Sequence, residues 1–414
     1  MDPADSLTIA MPAPRPVGLP FPQWKKLERG LKNVMLFYAA DDEVDEEDIE
    51  TILLAALCHQ HARTRRVREH LPIGRPPRMQ DFSENDIFQN FGFRDSVSLG
   101  TVMSSLNLPE FVRCPKRRYK MEGESAFLLL LARLHDAGRF SRFESMFHRD
   151  VTQLSAIFGE MLNWMYKTHA LPRIGNLQWV KERMCTYNMA LNRRFEDSFS
   201  DEVWYENLAK DVWAFIDGTL RPCARPSSDA FPGLNLQKDL YTGYKKTHAL
   251  KYQAVHAPDG LCVHLFGAIP GKWHDIKLFA ESKIEEALME TYLPGDTVYK
   301  LLGDPAYARG LHMCTGFRNP KEKWKKHVNC ALSSARVCVE WGFGNVARRW
   351  TFLNDKGRQK LFETGLQQQY FVCTFLTNLI TCVEGGNQTS TYFECYPPTV
   401  HEYMSLTTTH EGDL

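Results

Sequence analysis

The chain has 414 residues, with 50 basic and 50 acidic residues, so its formal net charge at pH 7 is zero. This length allows two or three domains with cores of their own, and 43% hydrophobic and 24% charged residues are ordinary for a globular protein. No apolar run reaches the roughly 18 residues of a membrane helix, and the N-terminus lacks the features of a secretory signal. The neutral total charge argues against a protein that merely coats nucleic acid. We therefore expect an intracellular protein whose cysteines are reduced, buried small hydrophobes.

The first 120 residues divide into a polar start and a helical region. Residues 1–45 are rich in Pro and then in acidic residues, which predicts disorder. Residues 46–120 begin with apolar residues at three-to-four spacing, which predicts helices, and they carry basic clusters. The cluster at 113–120, which includes Arg117 and Arg118, is open to two interpretations, a solvated surface or a nuclear localisation signal.

Residues 121–205 form a second helical region with the outline of a helix-turn-helix. A buried helix is predicted at Ser125–Asp136, a short helix at Ser141–Phe147, and a longer third helix capped by Asp150. A short helix, a tight turn and a longer helix are typical of DNA-binding helix-turn-helix units. Helical pairs that only pack a core are commoner, so both interpretations stay open on the pattern alone.

After Asp211 the pattern changes from helical to strand-like. The apolar run Val212–Ile216 predicts a buried strand that ends at Asp217. Further strands are predicted at Lys251–His256, Leu261–Ile269 and Val298–Leu302, and helices at His274–Glu290, Ala331–Arg348 and Lys360–Thr381. This order predicts an α/β fold: an RNase H-like mixed sheet with flanking helices over 206–385, preceded by an all-α helix-turn-helix-like domain and followed by a tail, 386–414.

Three carboxylates stand out in this α/β region. Asp217 follows the first predicted strand, Asp304 follows the last one, and Glu340 lies in the helix Ala331–Arg348. Singly, each has a commoner explanation, because Asp-Gly and Asp-Pro start turns and a helical Glu with Arg336 one turn away is usually a surface pair. Together, in this order, they predict oxygen ligands for two Mg²⁺ ions, with Mn²⁺ as a substitute, that break a phosphodiester.

Several blocks of sequence then appear in a recognisable order. They are Phe215–Thr219, Tyr241–Lys251, Pro270–Asp275, Leu302–Tyr307, Ser333–Gly344 and the tail segments Leu376–Cys382 and Tyr392–Tyr403. In this order the blocks resemble PIF/Harbinger-type transposases, which belong to the DDE superfamily endonuclease group. The likeness covers about Glu122 to Tyr403.

The resemblance implies an RNase H-like catalytic domain that carries out metal-dependent cut-and-paste transposition in the nucleus. Carried over to this chain, the catalytic and metal-binding residues are Asp217, Asp304 and Glu340. The resemblance also implies double-stranded DNA as the substrate, both as transposon ends and as target. It further implies a Myb-like partner protein and at least a dimer on DNA.

Other residues receive secondary roles. Asp275 is interpreted as a supporting or helix-capping residue in preference to a fourth ligand. Arg336 either orients Glu340, meets a phosphate or forms an exposed helical pair. The residues expected along the DNA backbone are Lys245, Lys246, His248, Arg117 and Arg118, although exposed basic residues are often only solvated.

Three functions compete. The first is an active transposase, which the three acids favour because a pure binding module has no need of converging carboxylates. The second is a host-adopted, catalytically inactive DNA-binding or scaffold protein derived from a transposase. The third is a metal-dependent nuclease of repair or RNA processing, which leaves the helical region and the tail blocks unexplained.

Overall fold

The computed structural model describes residues 74–115, 117–196, 209–227, 235–291, 297–363 and 365–406. These residues belong to one compact unit, Leu71–Leu414, and no residue of the other unit, Met1–His70, is described. The disorder predicted for residues 1–45 and the first helix predicted after residue 46 therefore lie outside the described residues. None of the helices in the described ranges is long and apolar enough to cross a membrane.

Two helices and a two-stranded ribbon come first. They are α1 (Glu84–Phe91), α2 (Ser96–Ser105), β1 (Phe111–Cys114) and β2 (Tyr119–Glu122). Ser83 and Asp95 cap the two helices by accepting hydrogen bonds from backbone N–H groups of the first turn. The prediction of a helical region over residues 46–120 does not include this ribbon, because strands of four residues are too short to show their alternation in the sequence.

A run of helices follows the ribbon. It consists of α3 (Gly123–His135), α4 (Glu144–Phe147), α5 (Val151–Met165), a π-helical turn (Tyr166–Ala170), α6 (Leu171–Ile174) and α7 (Lys181–Glu196). The predicted outline over α3 to α5 is confirmed, and Asp150 caps α5 through the N–H groups of Thr152 and Gln153. The fully exposed residues of α5 are Thr152, Ser155, Gly159 and Glu160, none of them basic. α5 itself therefore offers no cation to a DNA phosphate, but Lys167 is exposed in the π-helical turn that continues it, so both interpretations stay open.

A mixed sheet forms the centre of the unit. Its strands are β3 (Val212–Pro222), β4 (Tyr241–Thr242), β5 (Thr247–His256), β6 (Cys262–Pro270), β7 (Lys300–Gly303) and β8 (Met313–Thr315). β5 pairs antiparallel with β3, β4 and β6, whereas β7 and β8 continue in parallel on the other side of β3. The order β6-β5-β3-β7-β8 is compatible with the predicted RNase H-like core.

The first strand of this sheet is longer than predicted. Gly218-Thr219 looks like a turn in the sequence, but β5 pairs with β3 as far as Pro222. Asp217 therefore lies inside β3, opposite Ala254, and does not follow the strand. The prediction that the strand ends at Asp217 is wrong, since pairing with a strand about 30 residues later decides its length.

The remaining helices flank the sheet. They are α8 (Leu236–Leu240), α9 (Asp275–Ser282), α10 (Ile284–Thr291), α11 (Lys323–Arg349), α12 (Leu366–Val383), α13 (Gln388–Phe393) and α14 (Val400–Ser405). The single helix predicted at His274–Glu290 is two helices, because Lys283 takes a left-handed φ of 51°. The segment predicted as a tail from residue 386 contributes α13 and α14.

The α12 helix joins the helical region to the sheet. Every residue from Gln369 to Cys382 is buried, and the helix contacts β6 on one side and α2, α5 and the π-helical turn on the others. A helix that is apolar all round needs cover on every face. The helical residues 74–196 and the sheet accordingly share one compact unit, with no division between compact units near the predicted boundary at residue 205.

Candidate active site

Two of the predicted acids are brought together by the register of β3 and β7. These strands are parallel, with Phe215 opposite Leu302. Two residues further along each strand direction stand Asp217 and Asp304, which therefore share a face of the sheet because side chains alternate with a period of two. Neighbouring strands lie about 4.8 Å apart, so the two carboxylates are neighbours.

A tight turn after β7 fixes Asp304. Its carboxylate Oδ1 accepts a hydrogen bond from the Ala306 N–H at 2.9 Å, and its backbone carbonyl accepts one from the Tyr307 N–H at 3.1 Å. The turn folds the Tyr307 ring back over Gly303, where a Cβ would lie 2.8 Å from Tyr307 Cδ2. Glycine is therefore required at this position for the tyrosine to reach the acids.

The Tyr307 hydroxyl points into the acidic site. The side chain is only 1% exposed, yet its hydroxyl has no hydrogen-bond partner among the described residues. Burial raises its pKa well above the usual value of 10, and the charges of Asp275, Asp217 and Asp304 raise it further. This group remains protonated at neutral pH, so it is a donor without an acceptor. Tyr307 ends the sequence block Leu302–Tyr307, but the sequence predicts no role for it.

Asp217 has an unusual electrostatic environment. Burial raises the pKa of its carboxyl above 3.8, Arg336 lowers it, and the charges of Asp304 and Asp275 raise it again. The Arg336 Nη1 donates to Asp217 Oδ2 at 2.7 Å, while the Gly218 N–H donates to Oδ1 at 2.8 Å. Arg336 therefore compensates the charge of Asp217 across the gap between α11 and β3, a contact that was not among the roles predicted for it.

A second acid–cation pair lies beside the first. Asp275 Oδ1 accepts from the Lys251 Nζ at 2.8 Å, and this lysine also donates to the Trp273 carbonyl at 3.1 Å. The Asp275 carboxylate packs so closely on Gly218 that a Cβ there would overlap it. Asp275 is the first residue of α9 and His274 is its cap, so Asp275 supports the site and is not the capping residue. Lys251 was missed as a site residue because a lysine in a strand gives no signal of its own.

Glu340 lies one helical turn after Arg336 on α11. Its side chain is exposed, and no described residue forms an ion pair or side-chain hydrogen bond with it. In the described ranges, no three His, Cys, Asp or Glu side chains are close enough together to hold a metal ion. Asp217 interacts electrostatically with Asp304 and Asp275, whereas the place of Glu340 in a site stays a prediction.

The donor set of this site suits a divalent cation. Three carboxylates face two cations, Arg336 and Lys251, so a negative charge remains uncompensated. All-oxygen ligands are those that Mg²⁺ and Mn²⁺ prefer. The buried, unpartnered Tyr307 hydroxyl is a further polar atom that a bound water or phosphate oxygen would satisfy. On these grounds the residues fit the implied metal, although they are not arranged here as a closed ligand set.

A basic cleft of about 600 Å³ adjoins Tyr307. Its walls include Arg309, Arg318, Lys321 and Lys325. Arg318 is held by the carbonyls of Pro305 and Ala306, at 2.8 and 3.3 Å, so it is fixed to the turn that carries Asp304. A cation-rich cleft next to an acidic site suits a phosphate backbone. In the sequence, this cleft corresponds in part to the basic run 321–326, which contains four lysines.

The predicted DNA-contacting residues lie at the β4–β5 hairpin, with His248 in β5 itself, and at the turn of the β1–β2 ribbon. Lys245 and Lys246 are exposed between β4 and β5, and Lys245 stacks on Tyr244 at 4.8 Å. His248 is half-buried, and burial together with Arg225 and Lys356 lowers its pKa. Arg117 and Arg118 are exposed at the turn of the β1–β2 ribbon. The structure therefore places these two groups in different elements, β4–β5 and β1–β2.

The mixed sheet, with one acid in β3 and another directly after the parallel strand β7, is compatible with an RNase H-like core of the DDE type. Residues 216–378 match the family model described as DDE superfamily endonuclease. The match supports a DDE-type, transposase-like domain and suggests nuclease activity on DNA. Comparison with curated proteins and with solved structures gave no significant match.

Proposed function

We propose that the chain is a metal-dependent DNA endonuclease and strand transferase, a cut-and-paste transposase of the PIF/Harbinger type. The observation that carries the proposal is the closeness of Asp217, in β3, to Asp304, which directly follows the parallel strand β7, inside the segment that matches the endonuclease family. The order of sequence blocks from Phe215 to Tyr403 supports the subtype.

Asp217, Asp304 and Glu340 are the proposed ligands of two Mg²⁺ ions. Such ions activate an attacking oxygen and stabilise the leaving oxygen of a phosphodiester. Mn²⁺ is an expected substitute, because it accepts the same oxygen ligands. The exposed Glu340 side chain has no partner to break among the described residues, so its rotation toward the other two acids costs little.

The other site residues prepare the acids for this role. Arg336 keeps Asp217 ionised despite its burial, since an adjacent cation favours the carboxylate. Lys251 holds Asp275 against β3 and so fixes the start of α9. The Tyr307 hydroxyl, protonated at neutral pH, is placed to donate a hydrogen bond to an oxygen near Asp217 and Asp304.

The same proposal implies a substrate, a cellular compartment and binding partners. The substrate is double-stranded DNA, as transposon ends and target, and the reaction takes place in the nucleus. Two ends must be paired, which favours a dimer or larger assembly on DNA, with a Myb-like protein as partner. Lys245, Lys246 and His248 are proposed contacts to the DNA backbone.

A cleavage assay tests the proposal. DNA ends cloned from the flanks of the gene are incubated with the full chain and Mg²⁺ or Mn²⁺, for wild type, Asp304→Asn and Glu363→Gln. Glu363 is an exposed acid away from the site and serves as the matched control. We expect cuts with wild type and Glu363→Gln and none with Asp304→Asn. Equal cutting by all three would refute the assignment.

One observation favours a second candidate, the host-adopted protein without catalysis. The Arg336 guanidinium occupies an oxygen of Asp217, as it would in a structural ion pair. A protein of this kind would bind DNA specifically and leave it intact with either metal ion. Specific binding without cutting by the wild type, with the Myb-like partner present, would decide for this candidate.

A further inference from the structure

We propose that the β1–β2 ribbon is a DNA-binding element that enters the major groove of duplex DNA. The proposal rests on the proposed function in taking DNA as the polymer. It adds a contact surface outside the sheet that carries the acids.

The ribbon has one apolar face and one basic face. Val112, Cys114 and Met121 are buried and pack toward α3 and α5. The exposed residues in the described part of the ribbon are Arg113 and Lys120 on the strands and Pro115, Arg117 and Arg118 at the turn. Four of these five side chains are cationic, which complements a phosphate backbone.

The two strand cations are placed where they repel each other. Arg113 stands directly opposite Lys120 in the ribbon register, and both lie over the Phe111 ring, at 5.7 and 5.2 Å. Like charges opposite each other destabilise a strand pair. The Phe111 ring offsets part of this repulsion through cation–π contacts, and a polyanion partner would relieve the rest.

No carboxylate among the described residues forms an ion pair with the four cations. The acid within the two strands, Glu122, is already bound by Arg78, whose Nε donates to Glu122 Oε2 at 2.9 Å. In contrast, the site cations Arg336 and Lys251 each hold a carboxylate. The positive charge of the ribbon therefore remains available to a partner.

The ribbon is fixed on the protein, as a recognition element needs to be. Gly123 follows β2 directly, and a Cβ there would overlap the Pro109 carbonyl oxygen, so the base of the ribbon closes tightly. The Gly123 N–H donates to the Glu110 carbonyl at 3.0 Å, and the Arg117 N–H donates to the Cys114 carbonyl at 3.1 Å. Little conformational freedom is lost when such an element binds.

The shape of the ribbon selects the nucleic acid. The major groove of B-form DNA, about 12 Å wide, admits a two-stranded β-ribbon. The major groove of an RNA duplex is too deep and narrow for side chains to read. Duplex DNA is therefore the expected partner.

Binding in EDTA tests the proposal without cleavage. Affinity of the full chain for a duplex of terminal sequence is measured by fluorescence anisotropy between 50 and 200 mM salt. The variants are Arg113→Gln/Lys120→Gln, Arg117→Gln/Arg118→Gln and a control, Arg139→Gln/Lys283→Gln, which neutralises two exposed basic residues elsewhere. For each ribbon variant we expect affinity about tenfold lower and a slope of log K against log salt less steep by about 2, with the control like wild type.

Two further measurements, of protein stability and of binding to an RNA duplex, test the interpretation. The Arg113→Gln/Lys120→Gln variant removes a repulsion together with two exposed cation–π contacts, so its melting temperature should stay close to that of wild type. An RNA duplex of the same sequence should bind more weakly than DNA. Equal binding of RNA, an unchanged salt slope, or lost nuclear import with unchanged DNA affinity would overturn the proposal. Failure of the nuclease proposal would show separately, as absent cleavage with ribbon-dependent binding intact.

Discussion

The charged side chains are paired with opposite charges at the acidic site but not on the β1–β2 ribbon. At the site, Arg336 binds Asp217 and Lys251 binds Asp275, so two of three acids have a cation of their own. On the ribbon, Arg113 and Lys120 stand side by side with no carboxylate between them. The site, which is half-buried, must limit the energy of burying charge, whereas an exposed ribbon is screened by water and salt. The difference indicates a pre-formed pocket in one place and an open contact surface in the other.

The largest effect, on the cleavage rate, is expected for Glu340, the acid whose place in the site stays a prediction. Glu340→Gln should lower the cleavage rate by about a thousandfold or more, since losing a metal ligand removes several kcal/mol of transition-state stabilisation. The free energy of unfolding should stay within about 0.5 kcal/mol of wild type, because the side chain is exposed. Single-turnover cleavage and urea unfolding measure the two quantities. A variant that cuts like Glu363→Gln would remove Glu340 from the site.

Two buried tyrosines, Tyr187 and Tyr307, differ in whether their hydroxyl groups form hydrogen bonds. The Tyr187 hydroxyl donates to Asp259 at 2.7 Å and accepts from Arg183 at 2.9 Å, whereas the Tyr307 hydroxyl has no described partner. Tyr187→Phe should lower the free energy of unfolding by about 1–3 kcal/mol, because Asp259 loses a donor. Tyr307→Phe should leave it unchanged or raise it, while lowering the cleavage rate. Urea unfolding of both variants checks this, and an equal loss of stability would contradict it.

The ionised Asp217 carboxylate should lower the free energy of unfolding. Because burial raises its folded-state pKa above the usual 3.8, the ionised form destabilises the folded state above that folded pKa. This penalty disappears as the pH falls below 3.8. We expect Asp217→Asn to raise the free energy of unfolding by about 0.5–2 kcal/mol at pH 7, with the gain vanishing toward acid pH, and to abolish cleavage. A variant less stable than wild type at pH 7 would contradict the sign.

The smallest expected effect concerns the ribbon. Arg113→Gln/Lys120→Gln should leave the free energy of unfolding within about 1 kcal/mol of wild type, because the loss of two exposed cation–π contacts with Phe111 offsets the removed repulsion. Salt screens the repulsion, so the stability of the variant relative to wild type should fall at high salt. Thermal unfolding at two salt concentrations measures it. A larger loss of stability would mean that the cations support the fold.

Much of the fold could be predicted where a pattern is long. The buried run before Asp217, the hairpin of β5 and β6 and the cap at Asp150 all follow from local sequence. The short strands β1, β2 and β8 could not be found, since three or four residues carry no periodicity. The break at Lys283 carries no glycine to announce it, and the length of β3 depends on its distant partner β5.

The candidate site shows the same limit. Asp217 and Asp304 could be paired from the sequence because strand ends and motifs point to them. The partners Lys251 and Tyr307 could not, since their roles arise from the approach of α9 and of the turn after β7. The contact of Arg336 with Asp217, rather than with Glu340, likewise depends on how α11 packs on β3.

Direct binding of a metal ion tests the central claim, that Asp217 and Asp304 belong to a cation site. Mn²⁺ binding to the full chain without DNA would be followed by electron paramagnetic resonance and calorimetry for wild type, Asp304→Asn and Glu363→Gln. We predict binding by wild type and Glu363→Gln and an affinity at least about tenfold weaker for Asp304→Asn. Absence of binding by wild type, or equal affinity in Asp304→Asn, would contradict the account.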